Sequence, residues 1–245
     1  MADVPVPEGP NQRFIKRTGV VLSRANLLHG NSTATIFLRD SGVVRVFVHG
    51  GSRGVRRFGA SLEPLIWGHF QMYQSRHQMY IKEIDVTDDM WKLRHRPMAL
   101  RPALVWSRLL IRNLLEGYPY NDVLALFYWA LKALEAGVDP DAVGARFMWR
   151  WLYNWGVAPD LVHCSYCGKP MKRAAWHEGA LICGDCAHEI AQRGDGSTLV
   201  TFHKSLDAFA RYAYSKSFLP APRESITSEA RLLQRMFLYN LEENR

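Results

Sequence analysis

Two cysteine pairs carry the most specific chemistry in this 245-residue chain. Cys164-Ser-Tyr-Cys167 and Cys183-Gly-Asp-Cys186 use all four cysteines, and the segment between them, Gly168 to Ile182, holds 15 residues. Two residues between thiolates let one turn offer both sulfurs to a single ion, and a second such turn closes a tetrahedron. This spacing is the pattern of zinc sites. Four thiolates leave no coordination position for water or substrate, so the expected site is structural, with one Zn2+ per chain. Gly168, after the first pair, and Gly184, inside the second, suit tight turns whose N–H groups face sulfur. Iron in a rubredoxin-like site is the chemical alternative, since soft thiolates also suit iron. His163 and His188 flank the pairs and could substitute as ligands, but their expected place is at the surface or behind the cysteines. A zinc deaminase needs an open metal position and a His-x-Glu spacing. His177 and Glu178 are adjacent, which excludes that chemistry. With no export signal, the cysteines do not read as a disulfide framework.

A second constellation is basic. Between Arg13 and Lys82 stand eleven cations (Arg13, Lys16, Arg17, Arg24, Arg39, Arg45, Arg53, Arg56, Arg57, Arg76 and Lys82) against Asp40 and Glu63, a local excess of +9. The formal net charge of the whole chain is +8, so this one stretch accounts for it. Such a concentration suits a polyphosphate partner, because each neutralised phosphate releases condensed counterions. The bland alternative is a solvated face. Gly50 to Gly59 is the most unusual piece, with Arg53, Arg56 and Arg57 among four glycines. Glycine lets backbone approach a ligand, and arginine offers planar donors that match phosphate and stack on bases. No Gly-Lys-Ser/Thr follows at Walker spacing, so nucleotide hydrolysis is rejected.

Other enzyme classes find no support. There is no Gly-x-Ser-x-Gly elbow and no His-Glu-x-x-His. Acidic residues cluster at Asp85, Asp88 and Asp89, which reads as a loop between domains rather than a paired-carboxylate metal site. Hydrophobic content of 48% and charged content of 22% are ordinary globular values. No apolar run reaches the roughly 20 residues of a membrane span. Residues 1–12 carry Asp3, Glu8 and three prolines with no apolar signal region, so they read as a loose tail of a cytoplasmic protein.

The elements that position these groups change period along the chain. Gly19–Leu22, Thr33–Leu38, Val43–Val48, Trp67–Tyr73 and Met79–Val86 read as five strands. Val44, Val46 and Val48 alternate with Val43, Arg45 and Phe47, and Asp40-Ser41-Gly42 is a turn joining strands two and three as an antiparallel hairpin. Five short strands suit a small closed barrel such as the OB-fold, predicted over residues 13–86. Residues 87–245 are predicted to be mainly α-helical, with a zinc element at 160–190 inserted, which makes the chain α+β. Trp106, Leu110 and Leu114 share a helical face, as do Val123, Leu126, Phe127, Ala130, Leu131 and Leu134. Gly137 and Pro140 end one helix and open the next, where Phe147, Met148, Trp149, Trp151, Leu152 and Trp155 predict a buried helix. Leu206, Phe209, Ala210 and Ala213 form a further apolar set, and Ile226, Leu233, Phe237 and Leu241 the last.

Together these parts resemble the RecO family of recombination mediators. The local matches are Gly19-Val-Val-Leu-Ser-Arg24, the run Thr35 to Arg53 (strand, turn, strand, then a Gly-basic segment), and Ser61-Leu-Glu-Pro-Leu65. Two departures stand out. His29-Gly30-Asn31 replaces an acidic residue usual after the first strand, and Arg56-Arg57-Phe58 stands near where the family has Lys-Ser. The resemblance implies a non-enzymatic DNA-repair factor that binds single- and double-stranded DNA and anneals complementary strands. It implies help in loading RecA recombinase onto DNA coated by single-strand-binding protein, in concert with RecR, and capture of the coat protein's acidic C-terminal tail by the helical domain. On this reading Arg13, Lys16, Arg17, Arg53, Arg56 and Arg57 contact DNA, and Phe37, Phe47, Phe58, Phe70 and Tyr73 are available for stacking, roughly half of them turned inward by the strand alternation. A zinc-ribbon protein that binds RNA or RNA polymerase shares the same zinc and charge and stays open.

Overall fold

A computed structural model describes residues 14–27, 31–48, 58–75, 78–171, 173–194, 200–201, 206–217 and 227–243. Five strands come first: β1 (Phe14–Asn26), β2 (Ser32–Leu38), β3 (Gly42–Val48), β4 (Trp67–Ser75) and β5 (Gln78–Asp88). They close a barrel in the order β1-β2-β3-β5-β4. Alternation interrupted by bulges at Val21/Ser23 and Gln71/Met72 sets one apolar row of each strand inward, and burying these rows drives closure. Val21, Ile36, Leu38, Val46, Val48, Phe70, Met72 and Ile81 fill the interior, with Phe58 and Ile15 half-buried at its margin. The predicted β2–β3 hairpin is present, in the register Leu38↔Gly42 through Ser32↔Val48. Asp40 (φ 61°) and Gly42 (φ 68°) take the left-handed conformations that the tight turn needs.

A second apolar row faces outward. Val20, Phe37 and Val43 pair across β1, β2 and β3, point away from the barrel axis, and are nonetheless buried. Residues after the second helix are stitched to this end of the barrel. Gly117 N–H donates to Val43 O at 2.9 Å, and Asp40 and Asn121 exchange hydrogen bonds of 2.8 and 2.6 Å. Gly42 lies so close to Tyr118 that a Cβ there would sit 1.9 Å from the Tyr118 carbonyl oxygen.

The remaining elements are α1 (Trp91–Arg94), α2 (Pro97–Asn113), α3 (Asn121–Glu135), α4 (Pro140–Asn154), β6 (Ala174–His177), β7 (Ala180–Cys183), α5 (Gly184–Gln192), β8 (Val200–Thr201), α6 (Asp207–Tyr214) and α7 (Thr227–Glu243). Two compact units result. One takes the barrel through His95 together with Ala103–Leu124, and the other takes Arg96–Pro102 and Ala125 onward. In the second unit Asp139 caps α4 by accepting from Ala142 N–H at 2.9 Å, and Pro140 begins the helix. Phe147, Met148, Trp149, Trp151 and Leu152 are buried along it, as the sequence predicts. The same helix buries Arg146, 2% exposed, whose guanidinium donates to Tyr212 O (2.8 Å) and Ser215 O (2.6 Å). Leu206, Phe209, Ala213, Leu233, Phe237 and Leu241 complete this core, while Ile226 lies outside the described residues. No helix among the described residues is long and apolar enough to cross a membrane.

Candidate metal centre and nucleic-acid interface

The 15-residue spacer between the cysteine pairs folds as a β-hairpin rather than an irregular loop. β6 pairs with β7 from Ala174↔Cys183 to His177↔Ala180, and Glu178 and Gly179 form its turn, both with positive φ. The first pair sits on a loop folded against this hairpin. Cys164 N–H donates to Lys169 O at 2.8 Å, Gly168 N–H to Cys164 O at 2.9 Å, and Ser165 N–H to Leu181 O at 3.0 Å. Gly168 has φ +69°, the tight turn expected of it. Gly184 departs from expectation: it is the first residue of α5 rather than part of a free turn. Cys183 and Cys186 are therefore held on either side of a helix start, three residues apart and on one face.

All four sulfurs lie within 4.8 Å of one another. Cys164 Sγ is 3.8 Å from Cys186 Sγ, and Cys167 Sγ is 3.7 Å from Cys183 Sγ. A tetrahedron of Zn–S bonds near 2.3 Å has sulfur–sulfur edges of about 3.8 Å, so the cage fits such an ion. Burial opposes ionisation of Cys164, but the N–H groups of Cys167, Cys183 and Tyr166 outweigh it and bring the thiol down to about 6. Burial and the surrounding sulfurs, a Cys164 thiolate included, push Cys186 up. Cys164 thus ionises readily, whereas a cation beside it is needed to neutralise a Cys186 thiolate, which is the behaviour of a metal cage. His163 and His188 are not part of it. Their rings engage Asp160 Oδ2 (3.1 Å) and Gln192 Nε2 (2.8 Å) instead.

On the barrel, Lys16 and Arg17 are exposed neighbours on β1 and so leave opposite faces of the strand. Arg17 shares the parity of inward Ile15, and its Nη1 turns back to Lys16 O at 3.0 Å. Lys16 stands on the outer face beside Phe14. Arg13, Arg53, Arg56 and Arg57 lie outside the described residues. Three of the proposed stacking aromatics are corrected. Phe70 is interior core, Phe58 packs against that core, and Phe37 faces outward but is fully buried in the second apolar row. The cluster Asp85, Asp88 and Asp89 is also not a simple interdomain loop. Asp85 and Asp88 lie on β5, while Asp88 Oδ1 and Asp89 Oδ1 accept from the N–H groups of Met90 (2.9 Å) and Trp91 (3.0 Å).

Phe47 and Tyr73 do point outward, and the structure adds two rings that period alone does not single out. Phe47 pairs with Tyr80, Tyr80 with Tyr73, and Tyr73 with Phe14, one residue from each of four neighbouring strands. Their centroids are 5.9, 5.3 and 6.2 Å apart along the row, and the two tyrosines stack with planes 17° apart. Lys82 Nζ lies 4.3 Å from the Phe14 ring centroid. Membership of the row depends on which strands become neighbours when the barrel closes, which alternation within one strand does not reveal.

The chain matches two family models, "Recombination protein O N terminal" over residues 13–90 and "Recombination protein O C terminal" over residues 99–244. Among similar curated proteins, one from Rubrobacter xylanophilus is 30% identical over 69% of this chain and 69% of its own. One from Exiguobacterium sibiricum is 27% identical over 82% of this chain and 81% of its own, and one from another Exiguobacterium species is 29% identical over 62% and 61%. Each of the three bears the name DNA repair protein RecO. The first model's span contains the barrel and the second contains the four-cysteine cage, and this chain belongs to the RecO family of DNA repair proteins.

Proposed function

We propose that the protein is a non-enzymatic, cytoplasmic recombination mediator. It binds single- and double-stranded DNA, anneals complementary strands, and helps load RecA onto DNA coated by single-strand-binding protein, acting with RecR and with the tail of the coat protein. The observation that carries this reading is the match of both halves of the chain to the RecO models, joined to a closed barrel whose sequence holds the cationic excess. Annealing needs two strands held with charge neutralised and bases accessible, which a basic, sequence-tolerant surface supplies. Arg13, Lys16, Arg17, Arg53, Arg56 and Arg57 hold phosphates in this proposal. Cys164, Cys167, Cys183 and Cys186 hold one structural Zn2+, which carries no chemistry of its own and fixes the β6–β7 hairpin to α5.

The test is annealing of labelled complementary strands, bare and coated with single-strand-binding protein, across a salt series. Annealing that persists on coated strands is expected, since a merely basic protein is blocked by the coat. Replacing Arg53, Arg56 and Arg57 together by Ala should weaken binding to all sequences and flatten its salt dependence. Unchanged affinity refutes the phosphate assignment. Tight RNA binding without DNA annealing refutes the mediator reading as a whole.

A further inference from the structure

The four sulfurs of the cage are not equally open to a reagent. Cys164 is 3% exposed, whereas every residue from Ser165 to Pro170, Cys167 among them, is exposed. Cys183 and Cys186 are half-buried. In a metal-loaded cage all four are thiolates, so access and hydrogen bonding rank them, not ionisation. The Cys183 N–H lies 3.2 Å from the Cys164 sulfur, and the N–H groups of Tyr166 and Cys167 face the same atom. These donors draw electron density from Cys164 and dull it as a nucleophile. Cys167 is then the sulfur that a small uncharged oxidant meets first. The Cys183 sulfur, at the junction of β7 and α5, lies 3.7 Å from it.

We infer that Cys167 is a modification site for hydrogen peroxide, and that its oxidation ends in a Cys167–Cys183 disulfide that opens the cage. The Cys167 thiolate attacks one peroxide oxygen, the O–O bond breaks, and the departing hydroxide takes a proton, which leaves a sulfenic acid. The Cys183 thiolate then attacks that sulfur and displaces hydroxide, which a second proton turns into water. Two thiolates, one peroxide and two protons thus give one disulfide and two waters. Each sulfur loses one electron and each peroxide oxygen gains one. The sulfurs must close from 3.7 Å to about 2.05 Å. The exposed loop can supply that movement, because Gly168 follows Cys167 with a φ of +69° and nothing within 4 Å of where a Cβ would stand. Closing the bond leaves Cys164 and Cys186 as the remaining thiolates, too few for a tetrahedral site. Oxidation therefore exchanges a metal clamp between loop and helix start for a covalent one, and a thiol reductant reverses it. The inference rests on the metal reading of the cage, to which it adds a reagent and an order of reaction.

The test treats the zinc-loaded chain with equimolar hydrogen peroxide, reads released zinc with a chromogenic chelator, blocks the remaining thiols with iodoacetamide and maps the tryptic peptides. Cleavage after Arg173 separates the two cysteine pairs, so a Cys167–Cys183 bond joins two peptides in which Cys164 and Cys186 carry the alkyl group. That linked species is expected, with one zinc released per disulfide, and both changes should reverse on adding dithiothreitol and zinc. Cys167→Ser should abolish the linked species. Because that variant also removes a ligand, the order of reaction is read in the parent as well, where limiting iodoacetamide should label Cys167 before the other three. A disulfide within either pair, first reaction at Cys164, or zinc retained through excess peroxide overturns the inference while leaving the metal reading intact. A parent chain that takes up no zinc overturns both.

Discussion

Removal of the metal should lower the melting transition of the unit that holds the cage and leave that of the barrel unit unchanged. Two edges of the sulfur cage are 3.7 and 3.8 Å and none exceeds 4.8 Å, against about 3.8 Å for a zinc tetrahedron, so metal binding needs shifts of at most about 1 Å and its free energy adds to folding. With free zinc at about 1,000 times the dissociation constant, the stabilisation is about 4 kcal/mol. For a unit of somewhat over 100 residues each kcal/mol moves Tm by roughly 3–5 °C, so chelation should lower its transition by about 10–20 °C. The loss spreads through named contacts. Asn240 Nδ2 on α7 donates to Gly179 O in the hairpin turn at 2.9 Å, and Trp176 of β6 meets Phe237 of α7 edge-on at 6.4 Å. From α7 the strain passes to α4, which Arg231 ties to Asp141 at 2.8 Å. Cys164→Ser should act like chelation, because it removes a ligand and weakens the acceptor of the Cys183 N–H, now 3.2 Å away. His163→Ala and His188→Ala should retain the ion. Atomic emission and calorimetry, with and without chelator, supply the readout. A full complement of metal in Cys164→Ser, or an unchanged thermogram after complete removal, would refute the reasoning.

Three further outcomes are expected. Gly42→Ala forces a Cβ against the Tyr118 backbone at a φ of +68°, so urea denaturation should show a loss of about 3–5 kcal/mol from strain and from the Val43 and Asn121 hydrogen bonds; a loss under about 1 kcal/mol would mean the 116–121 segment yields freely. Arg146→Ala removes one buried donor from each of the carbonyls of Tyr212 and Ser215, which keep Ser215 Oγ and Arg150 Nη2, and leaves a void, which should cost about 2–3 kcal/mol in the same assay. At Asp160 burial opposes the charge, but the N–H groups of Val162 and His163 and the His163 ring prevail and hold the carboxyl below 3.8. Its folded pKa is thus below the unfolded one, so its stabilisation is present above about pH 4 and lost as pH falls through the folded value. Asp160→Asn should flatten the acid limb of a stability–pH curve there, and an unaltered limb would assign that limb to other carboxylates.

Local pattern was legible wherever one contact range dominates. The Cys-x2-Cys pairs announce their cage because ligand spacing within a turn is a local property. The alternation of Val44, Val46 and Val48 announces β3, and the near-continuous apolar run Phe147–Leu152 announces a buried α4. Closure was harder to read. Phe14 and Tyr80 lie far apart in sequence and share a row only because β1 and β5 both flank β4. Phe37 was open to a surface role by alternation, since it does point outward; its burial, in a row with Val20 and Val43, comes from packing between elements that alternation within β2 does not show. The β6–β7 hairpin escaped because its strands are four residues long and its turn is Glu178-Gly179, where glutamate rather than Asn or Asp takes the positive φ.

The way the barrel closes has a dynamic corollary. β1 and β4 register at seven consecutive positions, whereas among the described residues β3 and β5 register at one, Phe47↔Tyr80. Among the described residues the sheet is thus a five-strand ribbon curled round and latched at a single pair. Opening that latch breaks few hydrogen bonds, so the amides near Val48 and Tyr80 belong to the lowest-energy breathing motion of the barrel and exchange with deuterium before those of β1, β2 and β4. The rings on the latch belong to both edges at once. Anything that lies across them bridges the seam, and its arrival is recorded as slowed exchange on β3 and β5 together.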